Sequence, residues 1–139
     1  MQEQRLFYLL HKAHRHLFKH ADTICLEELG VTSTQLSAIF YLMQHDGCLL
    51  KELGRGLSLN NSGISGLVTR MEKLQLVARK PCELDARGFR IYLTDKAKLL
   101  IPDGYRLLNQ LNGEIEKDFS QDERDTVLRF LDRIANLQR

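Results

Sequence analysis

Asn61, Ser62, Ser65, Thr69 and Arg70 stand within ten residues of one another. At helical spacing they turn short hydrogen-bonding groups and one long cation outward, a set suited to base edges and phosphates. Further on, Arg87 sits in a polar loop, Glu83 to Gly88, from which an arginine reaches a phosphate or a minor groove. Each residue also has a plainer use. Asn and Ser cap helices, Arg70 can pair with Glu72 on the surface, and Arg87 can be a solvated loop residue paired with Asp85.

The elements that must position these groups follow from periodicity. Leu50, Leu53 and Leu57 form the inner face of a short helix, and Leu59 packs the turn after it. Asn60 to Ser62 offer a cap for a second helix, which carries Ile64, Leu67, Val68 and Met71 inward. Gly63 and Gly66 weaken that helix. Their missing side chains suit a close approach to a nucleic-acid backbone or packing against the preceding helix. Phe89, Ile91 and Leu93 alternate with Arg90 and Tyr92 as a half-buried strand, paired with Leu76 to Lys80, and Pro81 ends the ladder. A helix pair with a tight turn and a following hairpin is a winged helix-turn-helix.

The flanks are helical. Residues 3–29 lack Pro and Gly, and Leu6, Leu10, Ala13, Leu17, Ala21 and Ile24 recur at three and four, stopped by Gly30. Phe7, Phe18 and Cys25 widen that stripe. Thr32 and Ser33 open a second helix to about His45, with Leu36, Ile39, Phe40 and Met43 inward. Thr94-Asp95 caps a helix with Leu100, Leu107, Leu111 and Ile115 as its seam, kinked near Leu99 by Pro102. Ser120 to Glu123 is a capping box for a last helix carrying Val127, Leu131 and Ile134. The expected fold is mostly α with a small β-hairpin. Residues 31–94 form the reading head, and residues 1–30 and 95–139 form helices whose surplus apolar stripe suits a two-fold homodimer. Two reading helices would then lie roughly 34 Å apart on a pseudo-palindromic duplex.

Charge agrees with that placement. Net charge is only +2, yet from Gly47 to Leu93 eight Lys/Arg face four acids, while the remainder holds twelve bases against fourteen acids. The excess sits on the segment that would meet phosphates. No Ser/His/Asp order, Gly-rich phosphate loop or paired catalytic carboxylates suggests an enzyme, and no cofactor is expected. Three scattered cysteines argue against a disulfide framework or a zinc ribbon and suit a reducing cytoplasm. The apolar run Leu6 to Leu10 is too short to span a membrane. Cys25 and Cys82 are candidate redox sensors, the latter near Lys80, although cysteine is also a common buried hydrophobe. His16 and His20, with His11, His14 and His45, raise the idea of zinc, but no Cys or acid joins them at a diagnostic spacing, and no metal is expected. Tyr8, His14, Phe18, Tyr41 and His45 are candidate lining for a small-molecule pocket, or ordinary core.

The ordered set Val31-Thr-Ser-Thr-Gln35, Leu50-x-x-Leu53, Ser62 to Glu72 (SGISGLVTRME), Leu76-Val-Ala-Arg79, Asp85-Ala-Arg87 and Leu93-Thr94 resembles the multiple-antibiotic-resistance regulator (MarR) family of bacterial transcription factors. The likeness runs from about Thr32 to Lys98, and the flanking helices match in length and placement. It implies a homodimeric regulator, usually a repressor, on a short inverted repeat. Residues 61–74 would sit in the major groove, and Arg87 at or in the minor groove, held by an ion pair to Asp85. It also implies release by a small aromatic effector or, in some members, by thiol oxidation or zinc. Two departures stand out. Gln75 replaces a common helix-ending Gly, which leaves that end less sharply stopped, and Ala97 replaces the Gly of Leu-Thr-x-x-Gly. A winged-helix module for protein contacts is the competing reading.

Overall fold

The computed structural model of the chain describes residues 2–138, and within these the side chains of all but Gln2, Glu3, Ala86 and Arg87. The order is α1 (Gln2–Leu29), α2 (Ser33–Gln44), β1 (Cys48–Leu49), α3 (Leu50–Gly56), α4 (Asn61–Lys73), β2 (Val77–Cys82), β3 (Asp85–Leu93), α5 (Asp95–Leu99), α6 (Ile101–Glu116) and α7 (Gln121–Ala135). The fold is mostly helical with one small antiparallel sheet, as the periodicity predicts. Two compact units meet within α6, one reaching to Tyr105 and the other running from Arg106 onward.

In the first unit the helix ends carry the signals that the sequence offers. Gly30 (φ 72°) closes α1, its N–H donating to the Leu26 carbonyl at 3.1 Å. Thr32 caps α2 in a reciprocal box: its Oγ1 accepts from Gln35 N, and Gln35 Oε1 accepts from Thr32 N. Ser33, the other cap candidate, is instead tied backward. Its N–H and hydroxyl both donate to Asp22 Oδ1, at 2.7 and 2.6 Å, fastening the start of α2 to α1. Asn60 Oδ1 caps α4 by accepting from Gly63 N at 2.8 Å.

The core is built from Leu36, Ile39, Leu42, Leu53, Ile64, Val68, Met71, Leu76 and Ile91, all essentially inaccessible. On α2 the buried stripe is Leu36, Ala38, Ile39 and Leu42, so Met43 turns out to be exposed and Phe40 is half-buried, stacking on Tyr105 at 4.6 Å. Of the α1 stripe only Ala21 and Cys25 are buried. Leu6, Phe7, Leu9, Leu17 and Phe18 stay exposed, as do Val127, Leu128, Phe130 and Leu131 of α7, a helix with no buried residue.

Three features depart from the periodicity reading. The sheet has a third strand, β1, and the order is β1-β3-β2. Only Cys48↔Ile91 and Leu49↔Arg90 pair across it, too short a segment to leave a two-residue alternation in sequence. Next, β2 does not stop at Pro81: Pro81 pairs with Phe89 and Cys82 with Asp85, with a register shift between the two. Proline is tolerated there because β2 is an edge strand whose outer side needs no donor. The wing turn is therefore Glu83-Leu84, and Ala86 to Gly88 fall in the irregular part of β3 rather than in an open loop. Finally, Pro102 breaks the helix outright. α5 ends at Leu99 and α6 restarts at Ile101, which puts Pro102 in a first turn where a missing N–H costs nothing.

Candidate nucleic-acid interface

α4 forms because Ile64, Leu67, Val68 and Met71 all bury on one side while Asn60 holds its start. Its packing against α3 depends on Gly54. A Cβ there would stand 3.2 Å from Ile64 Cγ2 and 3.3 Å from the Leu59 carbonyl. Close helix approach thus comes from Gly54, not from the two glycines of α4. A Cβ at Gly63 would meet Asn60 Oδ1 at 3.1 Å, and one at Gly66 would meet Arg70 Nη1 at 3.2 Å. Gly66 leaves room for the Arg70 guanidinium to lie back along the helix.

The outward face carries Asn61, Ser62, Thr69 and Arg70, all exposed, with Ser65 half-buried. Some of its groups already have local partners. Ser62 Oγ donates to Asn60 Oδ1 at 3.2 Å, and Thr69 Oγ1 donates to the Ser65 carbonyl at 2.9 Å. Ser62 Oγ keeps its acceptor capacity, while Thr69 Oγ1 also accepts from Arg79 Nη2 at 3.4 Å. Arg70 does not pair with Glu72, and among the described residues it makes no ion pair.

Glu72 is taken by Arg79, a residue to which the sequence assigned no role beyond the Leu76-Val-Ala-Arg79 run. Arg79 Nε lies 3.1 Å from Glu72 Oε1, and its guanidinium sits 5.1 Å from the centre of the Phe89 ring. One side chain of β2 so spans from α4 to the aromatic floor of the wing. Seven residues separate Glu72 and Arg79 across a helix end and a strand, so no single-element spacing reveals the pair. Partial exposure on both sides limits it to about 1 kcal/mol or less.

The end of α4 is sharply set despite Gln75. That residue adopts φ 60°, Gln75 N donates to the Glu72 carbonyl, and Leu76 N donates to the Met71 carbonyl, both at 2.9 Å. This is a complete Schellman stop made without glycine. Thr94 Oγ1 and Lys96 Nζ then donate to the Gln75 and Leu74 carbonyls. The wing is rooted by Asp46 Oδ1, which accepts from Leu93 N at 2.8 Å, and by Arg90 Nη1, which donates to the Gly47 carbonyl at 2.9 Å. Arg87 lies within β3, but its side chain falls outside the described residues. Asp85, opposite Cys82, is exposed and engaged in an interaction of its own. Between the start of α3, the start of α4 and the wing lies a cavity of about 250 Å³.

The remaining candidates scatter. Tyr8 shares a groove on α1 with His11, Lys12, Arg15, His16 and Lys19; His14 contacts Phe18 at 4.6 Å; Tyr41 stacks on His45 at 4.4 Å. The five aromatic-pocket candidates thus fall into three groups. Cys25 and Cys82 are both buried, and burial, aided by Asp22 and Glu28, pushes the Cys25 thiol above its ordinary value of 9.0. Among the described residues no three His, Cys, Asp or Glu side chains gather as a metal site, and no helix is long and apolar enough to cross a membrane.

Residues 29–88 match the family model described as the MarR family. Over 118 residues, 81% of this chain and 80% of the relative, the sequence is 32% identical to the organic hydroperoxide resistance transcriptional regulator of Bacillus subtilis. The chain belongs to the MarR family. Another member, the HTH-type transcriptional regulator MgrA of Staphylococcus aureus, is 25% identical over 136 residues, covering 96% of this chain and 90% of that one. MarR-family structures share the fold. The S. aureus MepR–DNA complex superposes with a TM-score of 0.82 at 22% identity, over 92% of this chain and 93% of that one. A mutant MarR from E. coli with operator DNA gives 0.84 at 22% identity, over 94% and 93%. These MarR-family relatives are named as regulators of transcription, not as enzymes.

Proposed function

We propose that this protein is a DNA-binding transcriptional regulator that acts as a homodimer on a short inverted repeat, as a repressor released by a small molecule. The observation that carries the reading is the outward face of α4. Asn61, Ser62, Thr69 and Arg70 are exposed on a helix whose opposite side is locked into the core. The surrounding segment holds twice as many Lys/Arg as acids, eight against four. Two of the structural neighbours are described as DNA complexes, MepR and the mutant MarR. Association of two copies is supported by the large apolar side chains that α1 and α7 leave in water, more than scattered single residues explain.

In this reading α4 lies in the major groove, with Asn61, Ser62, Ser65 and Thr69 toward the bases and Arg70 toward phosphate. Arg87 contacts the adjoining backbone or minor groove, with Asp85 as its support. The B. subtilis relative's name raises a peroxide-sensing alternative. A thiol sensor works as thiolate, and burial pushes Cys25 away from that form, so the small-molecule reading is preferred. The test is selection of bound duplexes from a random pool at two salt concentrations, with the oligomeric state measured beside it. An inverted repeat with half-sites one helical turn apart, bound by a dimer, is expected. A monomer without sequence preference would defeat the proposal. Arg87→Ala should weaken binding to the selected duplex at least several-fold while the circular dichroism spectrum stays unchanged.

A further inference from the structure

Thr69 differs from the other hydroxyl residues of the α4 face in how its oxygen is held. A hydroxyl has one hydrogen to give and two lone pairs to share. Thr69 Oγ1 gives its hydrogen to the Ser65 carbonyl, four residues back, at 2.9 Å. It also accepts from Arg79 Nη2 at 3.4 Å, on the side of the wing. Ser62, by contrast, uses its hydroxyl once, toward Asn60. Arg79 is itself firmly seated. Its Nε pairs with Glu72 Oε1 at 3.1 Å, its guanidinium lies 5.1 Å from the centre of the Phe89 ring, and only 20% of its side chain is exposed. A planar fork fixed at two points delivers its remaining nitrogen to one place.

These contacts decide what Thr69 offers to a surface laid on α4. Threonine in a helix divides between two χ1 rotamers. The Ser65 and Arg79 contacts together select one. Thr69 is exposed, so with its oxygen turned to the helix and the wing, the group left for a partner is the Cγ2 methyl. In a major groove such a methyl has one counterpart, the C5 methyl of thymine. An adenine or cytosine amine would instead need a lone pair, and one of the two on Oγ1 is already taken. We infer that Thr69 reads a thymine in each half-site by methyl–methyl contact, and that Arg79 is the positioning residue that presents the methyl. The inference rests on the DNA-binding reading above and assigns the chemistry of one base within it.

The probe is the duplex selected from the random pool, with each thymine in turn replaced by deoxyuridine in both half-sites. Uracil keeps the hydrogen-bonding edge of thymine and lacks its methyl. At one position uracil should lower wild-type affinity about three- to fivefold per half-site, as the loss of one buried methyl does. Thr69→Val, which keeps a methyl in that place, should retain the uracil penalty. Thr69→Ser should abolish it at this position and at no other. Arg79→Lys, which replaces the fork by a point charge, should reduce the penalty whatever it does to affinity itself. A merely structural role for Arg79 would lower affinity for the thymine and uracil duplexes alike.

Uracil tolerated at every thymine, or a penalty that survives unchanged in Thr69→Ser, would overturn the thymine contact. An unchanged penalty in Arg79→Lys would overturn the role of Arg79. A second measurement needs no DNA. In the free protein, three-bond couplings to Cγ2 of Thr69 should report a single χ1 rotamer, and averaged couplings would overturn the locked hydroxyl. A chain that holds one rotamer but selects no duplex rejects the function proposed above, and the contact with it. A selected duplex indifferent to uracil rejects the contact alone.

Discussion

Replacing Gln75 by glycine should stabilise the protein, although it removes every side-chain atom beyond Cα. Gln75 sits at φ 60°, in the left-handed region that ends α4. An L-residue held there costs roughly 1–2 kcal/mol, from the approach of Cβ to the following carbonyl. Glycine escapes that cost but has more freedom to lose on folding, which takes back roughly 0.4–1 kcal/mol. Gln75 is exposed, and among the described residues its hydrogen bonds run through backbone atoms, N to the Glu72 carbonyl and O from Thr94 Oγ1, so its side chain offsets none of this. The net gain should be about 0.5–1 kcal/mol, a rise of about 2–4 °C in Tm for a chain of this size. Urea denaturation followed by circular dichroism, at one fixed protein concentration, reads it as a higher midpoint at unchanged slope. Gln75→Ala keeps the strain and should match the wild type, and Gln75→Val should fall below it. Glycine no more stable than alanine would mean that the backbone at Gln75 stores no strain, and the argument would be wrong.

Asp22→Ala should cost about 1.5–3 kcal/mol, the worth of hydrogen bonds to a charged group, since it strips both acceptor contacts from Ser33; Asp22→Asn should recover part of this in the same urea assay. The Glu123 carboxyl is held below its ordinary 4.5 by the backbone N–H and then the hydroxyl of Ser120. A depressed value means its cap favours the folded helix above pH 4.5 and is lost as acid carries the pH down through the folded value. Helicity from α7 should therefore decline in that range, and Glu123→Gln should flatten the decline. Burial raises the thiols of Cys25 and Cys48, so both should alkylate slowly at neutral pH in the native protein and at ordinary rates in urea; fast native labelling of either would contradict the packing.

What could be read from the sequence was whatever one element announces alone. The caps at Asn60, Thr94 and Ser120, the inward row of α4 and the stop at Gly30 are each local. What could not be read needs two elements at once. β1 is only two residues long and exists because β3 offers an edge. Asp22 and Ser33 are eleven apart on different helices, and Glu72 and Arg79 are seven apart across a chain reversal. Met43 and Leu42 are adjacent apolar residues, and only the presence of neighbours decides which one turns inward. At the candidate site the exposed polar face of α4 is legible from spacing, while the wing turn is not, because Pro81 reads in sequence as the end of a ladder that in fact runs on to Cys82. On an edge strand a missing donor faces water and terminates nothing.

β1 covers β3 only as far as Arg90, so the hairpin changes character along its length. Up to that point it is one layer of a sheet, clamped by Asp46 and by the Arg90–Gly47 contact. Past it, two strands continue without a third, with a dislocation between Pro81 and Cys82. Bare ribbons coil more tightly than sheets and have little stability of their own. The projection is a cantilever: its anchorage at Asp46 and Gly47 fixes the bearing of the hairpin.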